Sequence, residues 1–220
     1  MILIVGGQKG GTGKSTLSTN LAVALVRAGK RPLLVDTDTQ RSSSNWSDVR
    51  ETDASLPPIT TTQKTGKLNG HLPKMAEHFE HLVVDAGGRD SIELRSALLV
   101  ADRLVIPIRP SQIDLWTLDA MSELVESATS LNLKLTAALL ITLVPTNPMI
   151  RELAESRELL SQYPSLGVCT TIIHERKAYR DVIFRGKGVV EYHDPKAAAE
   201  IHSLTQEVFE HEQLLATATA

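Results

Sequence analysis

The chain has 220 residues, a formal net charge of −3 and a single cysteine, Cys169. The length suits one α/β domain with a substantial core, and the mild acidity excludes DNA attraction by the overall field, so any nucleic-acid contact needs a local basic patch. One cysteine excludes an intrachain disulfide and fits a reducing cytoplasm, no apolar run reaches membrane-spanning length, no signal peptide opens the chain, and three Phe, two Trp and three Tyr are too few for base-stacking platforms.

The first element, Ile2 to Val5, is a short apolar, β-branched run that reads as a buried strand. Residues 6–16 follow as Gly-Gly-Gln-Lys-Gly-Gly-Thr-Gly-Lys-Ser-Thr. The end of the phosphate-loop pattern G-x-x-x-x-G-K-[ST] is met by Gly13, Lys14 and Ser15, whereas Gln8 stands where the first glycine belongs. The glycines allow a tight turn with amides pointing inward as an anion nest. From Ser15 the apolar spacing is helical, so a helix N-terminus also faces the anion. Lys14 suits the β- and γ-phosphates, and the Ser15 hydroxyl suits Mg²⁺. A second lysine, Lys9, exceeds what such a loop needs; its plain alternative is a solvated loop lysine.

Further strands are predicted at 31–36, at 59–62 as a short one, at 81–85, 104–108 and 136–143, and more weakly at 168–173. Helical spacing falls near 91–100, 115–130, 147–161, 175–184 and 195–212. The alternation implies a mostly parallel twisted sheet covered by helices on both faces. Residues 41–72, rich in Ser, Thr and Pro, carry the weakest pattern, and no linker or internal repeat interrupts the chain. A single domain over 1–213 is expected, with 214–220 a frayed tail. Asp36, Asp38 and Asp85 stand at or just beyond predicted strand ends, where ligand sites of open α/β sheets lie. Capping of the next helix is the alternative for Asp36 and Asp38.

The segment Lys9, Gly10, Gly11, Thr12, Gly13, Lys14, Ser15, Thr16 resembles the deviant Walker A motif of the ParA/MinD family of dimerising P-loop ATPases. The resemblance implies a P-loop NTPase fold, with ATP and Mg²⁺ as cofactors. It also implies that Lys9 reaches across an ATP-dependent homodimer to the partner's nucleotide. Asp36-Thr37-Asp38-Thr39-Gln40 resembles the family's D-x-D-x-Q segment. By that likeness Asp38 orients the attacking water, and Asp36 supports the metal or the loop. Asp85 is similar to the Walker B carboxylate that holds Mg²⁺, and Gly87 and Gly88 to the switch whose amide senses the γ-phosphate. Arg89 beside them reads as a switch-surface salt bridge. Residues 110–116 resemble the dimer edge of the smaller ParA proteins. Near Thr142 an adenine-contacting Asn is common in the family, so base preference is left open.

Arg176, Lys177, Arg180, Arg185 and Lys187 outnumber the two acids between residues 174 and 188. This patch suits sequence-independent phosphate contacts. ParA proteins carry nonspecific DNA-binding residues in the matching region; a solvated basic face is the alternative. The last helix places Ile201, Leu204, Val208 and Phe209 on one face and acids on the other. An anionic membrane would repel it, so packing on the domain is expected, unlike the basic anchor of MinD. The whole is similar to the short, ParF-like partition ATPases that lack an N-terminal helix-turn-helix. That likeness implies slow hydrolysis until a centromere-binding ParB-like or other adaptor acts, nonspecific double-stranded DNA as a partner, and a cytoplasmic, nucleoid-associated protein that segregates plasmid or chromosome DNA. The alternatives are nucleoid-based positioning of a protein cargo, a MinD-like membrane-associated ATPase, and, more distantly, a small-molecule enzyme related to dethiobiotin synthetase.

Overall fold

The computed structural model describes residues 1–88, 90–110, 115–147, 156, 158–160 and 162–209. The strands are β1 (Ile2–Val5), β2 (Pro32–Asp36), β3 (Thr60–Gln63), β4 (His81–Asp85), β5 (Arg103–Ile108), β6 (Thr136–Val144) and β7 (Gly167–His174). They form one sheet in the order β3-β2-β4-β1-β5-β6-β7, with every pair parallel. A parallel sheet buried on both faces needs apolar residues at successive positions rather than alternate ones. β1 and β2 meet that need with every residue buried, which is why both are continuous runs in the sequence.

The helices are α1 (Lys14–Arg27), α2 (Ser42–Glu51), α3 (Leu72–Ala76), α4 (Ile92–Leu98), α5 (Leu115–Thr129), α6 (Lys177–Ile183) and α7 (Pro195–Phe209). Alternate strand residues feed two cores. Ile2, Ile4, Leu82 and Val84 pack with α3, α4 and α5, while Leu3, Val5 and Val83 pack with α1, α2, α6 and α7. Ile201 and Leu204 of α7 are fully buried and Val208 nearly so. Arg103 of β5 donates to the carbonyls of Glu207 and Val208 at 2.8 and 2.7 Å, in the last described turn of that helix. No helix among the described residues is long and apolar enough to cross a membrane.

Two helices fall outside the predicted elements: α2, within the stretch of weakest pattern, and α3, which begins at the last residue of that stretch. The buried positions of α2 are Ser43, Ser44, Trp46, Ser47 and Arg50. Their spacing is helical, but four of the five are polar, so a search for apolar periodicity passes over them. Most of the helix expected at 147–161, the frayed tail and the end of the last helix lie outside the described residues, as do Arg89 and residues 111–114 of the expected dimer edge.

Strand register sets up the site. Val5 is level with Asp85, and Asp85 is level with Asp36, so the carboxyl ends of β1, β4 and β2 lie side by side. Everything that leaves those ends (the loop after β1 and the segments after Asp36 and Asp85) converges on one rim of the sheet.

Candidate functional site

The loop after β1 turns through Gly11 at φ +71° and Gly13 at φ +93°, backbone geometry that side chains with a Cβ rarely adopt. Gly13 is the residue from which α1 springs, and its carbonyl already accepts the Leu17 amide at 2.8 Å. The amides of the first turn therefore face the loop's hollow without helical partners. Lys14 is mostly buried and donates to the Lys9 carbonyl at 2.6 Å. Burial pushes its ammonium pKa down, while the charges of Asp85 and Asp38 pull it back up. A buried cation inside a ring of amides is a site built for anions.

Thr142, on β6, is buried, with its hydroxyl 3.0 Å from the Thr12 carbonyl and 3.3 Å from that of Ile108. The hydroxyl thus ties the phosphate loop to the sheet, a task the sequence did not signal. Beside it Leu143 is held at φ +56°, at the wall of a second cavity of about 300 Å³ that Thr12, Thr16, Arg176 and Arg180 also line.

The main cavity, about 770 Å³, is bounded by Gly10, Lys14, Ser15, Thr16, Asp38, Gly87 and Gly88. Asp85 sits under its floor. One carboxylate oxygen accepts the Ser43 hydroxyl at 2.6 Å and the other lies 3.4 Å from the Ser18 hydroxyl. Burial pushes its pKa up to about 6; hydrogen bonds from Ser43 and Ser15 and the charge of Lys14 act downward, and the neighbouring Asp36 acts upward. Desolvation outweighs the downward pulls, and a cation brought close would lower the pKa.

Asp36 has no solvent exposure, and both of its oxygens are engaged. One accepts the Asp38 amide at 3.1 Å, the other the Ser44 amide and hydroxyl at 2.8 Å each. It therefore holds the first turn of α2, the capping alternative, while bordering Asp85. Asp38 is only partly buried; one oxygen accepts the Gln40 amide at 2.9 Å. Its other oxygen lies 3.4 Å from where a Cβ on Gly87 would stand. A Cβ on Gly88 would stand 3.2 Å from the Lys14 ammonium nitrogen and 3.3 Å from the Gly10 Cα. Both positions thus bring bare backbone against the groups that face the cavity.

Magnesium fits this donor set. Ser15 offers a hydroxyl beside Asp85, whose pKa burial lifts despite the bonds from Ser43 and Ser15 and the charge of Lys14. No group of three His, Cys, Asp or Glu among the described residues is placed to hold a metal by itself. A cation here therefore needs oxygens from nucleotide phosphates and water, as Mg²⁺ in phosphate sites usually does.

The basic stretch is divided rather than gathered into one patch. Arg176 is turned onto Glu200 of α7, at 2.7 Å, and its side chain is only 16% exposed. The same carboxylate accepts the Tyr179 hydroxyl at 3.0 Å and meets His174 at 2.8 Å. Arg176 thus has its charge paired with a partly buried carboxylate of another helix. Arg180 remains exposed, 3.4 Å from Glu175, although it also lines the smaller cavity. Lys177 is exposed and 3.7 Å from Asp181. Arg185 lies over the Tyr192 ring, and Lys187 accepts the Trp46 indole N–H at its carbonyl, 3.1 Å away. Phe184, 83% exposed, stands beside Arg185.

Comparison with known proteins agrees with this geometry. The family model of the CobQ/CobB/MinD/ParA nucleotide binding domain matches residues 3–189. Maintenance of carboxysome distribution protein A from Halothiobacillus neapolitanus is 32% identical over 212 residues, covering 94% of this chain and 95% of the relative. Among solved structures, apo McdA from Cyanothece superposes with a TM-score of 0.76 at 15% identity, covering 94% of this chain and 99% of that one. A putative plasmid partition protein from Borrelia burgdorferi B31 bound to AMPPNP gives 0.71 at 20% identity, covering 96% and 98%.

Proposed function

The chain belongs to the CobQ/CobB/MinD/ParA nucleotide-binding family, and from that premise we propose a dimerising ATPase that positions cargo along DNA. ATP hydrolysis and dependence on Mg²⁺ accord with the ParA/MinD branch of the family. The observation that carries the reading is the union of a two-lysine phosphate loop with Asp36, Asp38 and Asp85 at one rim of the sheet.

Each residue has a distinct part. Loop amides and Lys14 bind the β- and γ-phosphates. Ser15 and Asp85 would hold the Mg²⁺ that accompanies the nucleotide. When bound, Mg²⁺ supplies positive charge where phosphoryl transfer builds negative charge. Asp38, whose second oxygen faces Gly87 at the cavity wall, orients the attacking water. Asp36 acts one layer back, fixing the first turn of α2. Gly88, packed against Lys14 and Gly10, lets the switch amide approach the γ-phosphate. Lys9 completes the partner's site across the dimer, so that occupancy by triphosphate closes two copies together.

The exposed cations Lys177, Arg180 and Arg185, with the half-buried Lys187, form the DNA-facing surface in this reading, without Arg176. Their contacts are to phosphates and do not read sequence. An adaptor protein then stimulates hydrolysis and releases the dimer. The burial of Ile201, Leu204 and Val208 leaves the apolar face of α7 engaged, which disfavours a membrane role for the described part of that helix.

For the cargo, a protein assembly is as well supported as plasmid or chromosome DNA. The 32% identity with a carboxysome distribution protein favours it. The decisive experiment is a DNA-shift assay without nucleotide, with ADP and with a non-hydrolysable ATP analogue plus Mg²⁺. Binding only in the last arm supports the proposal; equal binding in all three removes it.

A further inference from the structure

Two helices start at the nucleotide cavity and end on the same loop. α1 begins at Lys14, and α2 begins six residues after Asp36. α2 is about 15 Å long, and Ser43, Trp46 and Arg50 lie on one face of it, at i, i+3 and i+7. Ser43 holds Asp85 at the cavity floor at 2.6 Å. Two turns further on, Arg50 is 3% exposed and donates to the Gly186 carbonyl and to both oxygens of Glu191, at 2.8 to 2.9 Å. Trp46 donates to the Lys187 carbonyl at 3.1 Å. The contact is so close that a Cβ on Gly186, which has φ +60°, would stand 2.4 Å from the Arg50 Cα. α1 grips the same loop. Asn20 accepts the Val189 amide at 2.7 Å, Val23 fills the space beside Gly188, and Arg27 reaches Glu191 at 2.7 Å. Glu191 is thus shared by both helices.

The loop gripped in this way carries Phe184 and Arg185 to the surface, with Lys187 half-buried beside them. We infer that α1 and α2 act as paired levers that carry nucleotide occupancy to the 184–188 turn, with Arg50, Trp46 and Glu191 as the joint. This rests on the reading that the turn meets DNA. The physical cause lies at Asp85: a ligand that engages this carboxylate competes with Ser43 for it, and the first turn of α2 shifts. A helix fastened by buried, charge-assisted bonds at its far end passes that shift on instead of absorbing it.

The test uses the full chain. Hydrogen exchange over residues 184–191 is compared without nucleotide and with a non-hydrolysable ATP analogue plus Mg²⁺. The variants are Trp46→Phe and the double variant Arg50→Met with Glu191→Leu, which replaces the ion pair by apolar bulk and leaves no lone buried charge. In the wild type, nucleotide should change exchange in this loop and strengthen DNA binding by about tenfold or more. In the variants nucleotide affinity should stay within about twofold, while the loop's response and the gain in DNA affinity disappear. Unchanged loop exchange in the wild type, or a full wild-type response in Trp46→Phe, overturns the inference. A loop response in the wild type without DNA binding in any state keeps the lever and removes only the DNA reading.

Discussion

Asp85 shows how one residue's environment becomes a measurable property. Burial lifts its pKa from 3.8 to about 6. Between those values the folded chain holds a proton that the unfolded chain has lost, so stability falls as pH rises through that window. The total is about 3 kcal/mol for a shift of about two units. Asp85→Asn should therefore raise the melting temperature of the nucleotide-free protein at neutral pH and flatten its pH dependence between about 4 and 6. Calorimetry across that range checks both. The same proton competes with the metal, so Mg-nucleotide affinity should weaken about tenfold from pH 7.5 to pH 5, as titration calorimetry can read. Asp38→Ala should leave nucleotide affinity near wild type but cut turnover by a factor of about 100 or more. Comparable loss of binding would remove the water-orienting role.

At the scale of elements, buried polar contacts hold the site's parts in place. Thr142→Val leaves the Thr12 carbonyl without its donor, at a cost of about 1 to 3 kcal/mol. It should also loosen nucleotide binding, because the loop loses its tie to β6; chemical denaturation and nucleotide titration on one sample separate the two effects. Glu191→Gln weakens a carboxylate that two arginines share. Its pKa stays below the ordinary glutamate value although burial acts upward, because Arg50 and Arg27 outweigh burial. Breaking such a buried pair costs about 3 to 5 kcal/mol. Stability from this group is present above pH about 4.5 and is lost as pH falls below it. α2 was illegible in the sequence for a related reason: its buried stripe is made of serines, a tryptophan and an arginine, and the value of these depends on partners far along the chain. β1, β2 and β4, by contrast, were legible because full burial on both faces demands uninterrupted apolar runs.

For the whole molecule, the proposed function is a change of assembly. With a non-hydrolysable ATP analogue and Mg²⁺, light scattering should show a doubling of mass, and Lys9→Ala should abolish it while nucleotide binding persists. Trp116, 84% exposed at the start of α5, borders the edge where the family resemblance puts the dimer contact. DNA affinity of the closed form should fall steeply with added salt, since phosphate contacts release counterions. The overall charge of −3 makes that dependence a property of one surface and not of the molecule's field.

By itself the sequence determined the alternation of strands and helices, the phosphate loop and the placing of Asp36, Asp38 and Asp85 near strand ends. These are local patterns, written in runs and spacings a few residues long. Only the tertiary structure decided that Arg176 serves Glu200, that Thr142 anchors the loop, and that Glu191 joins α1 to α2. Such contacts link side chains up to 164 residues apart. A hydrogen bond requires two groups to meet at about 3 Å, and that meeting leaves no periodic trace in either stretch of chain.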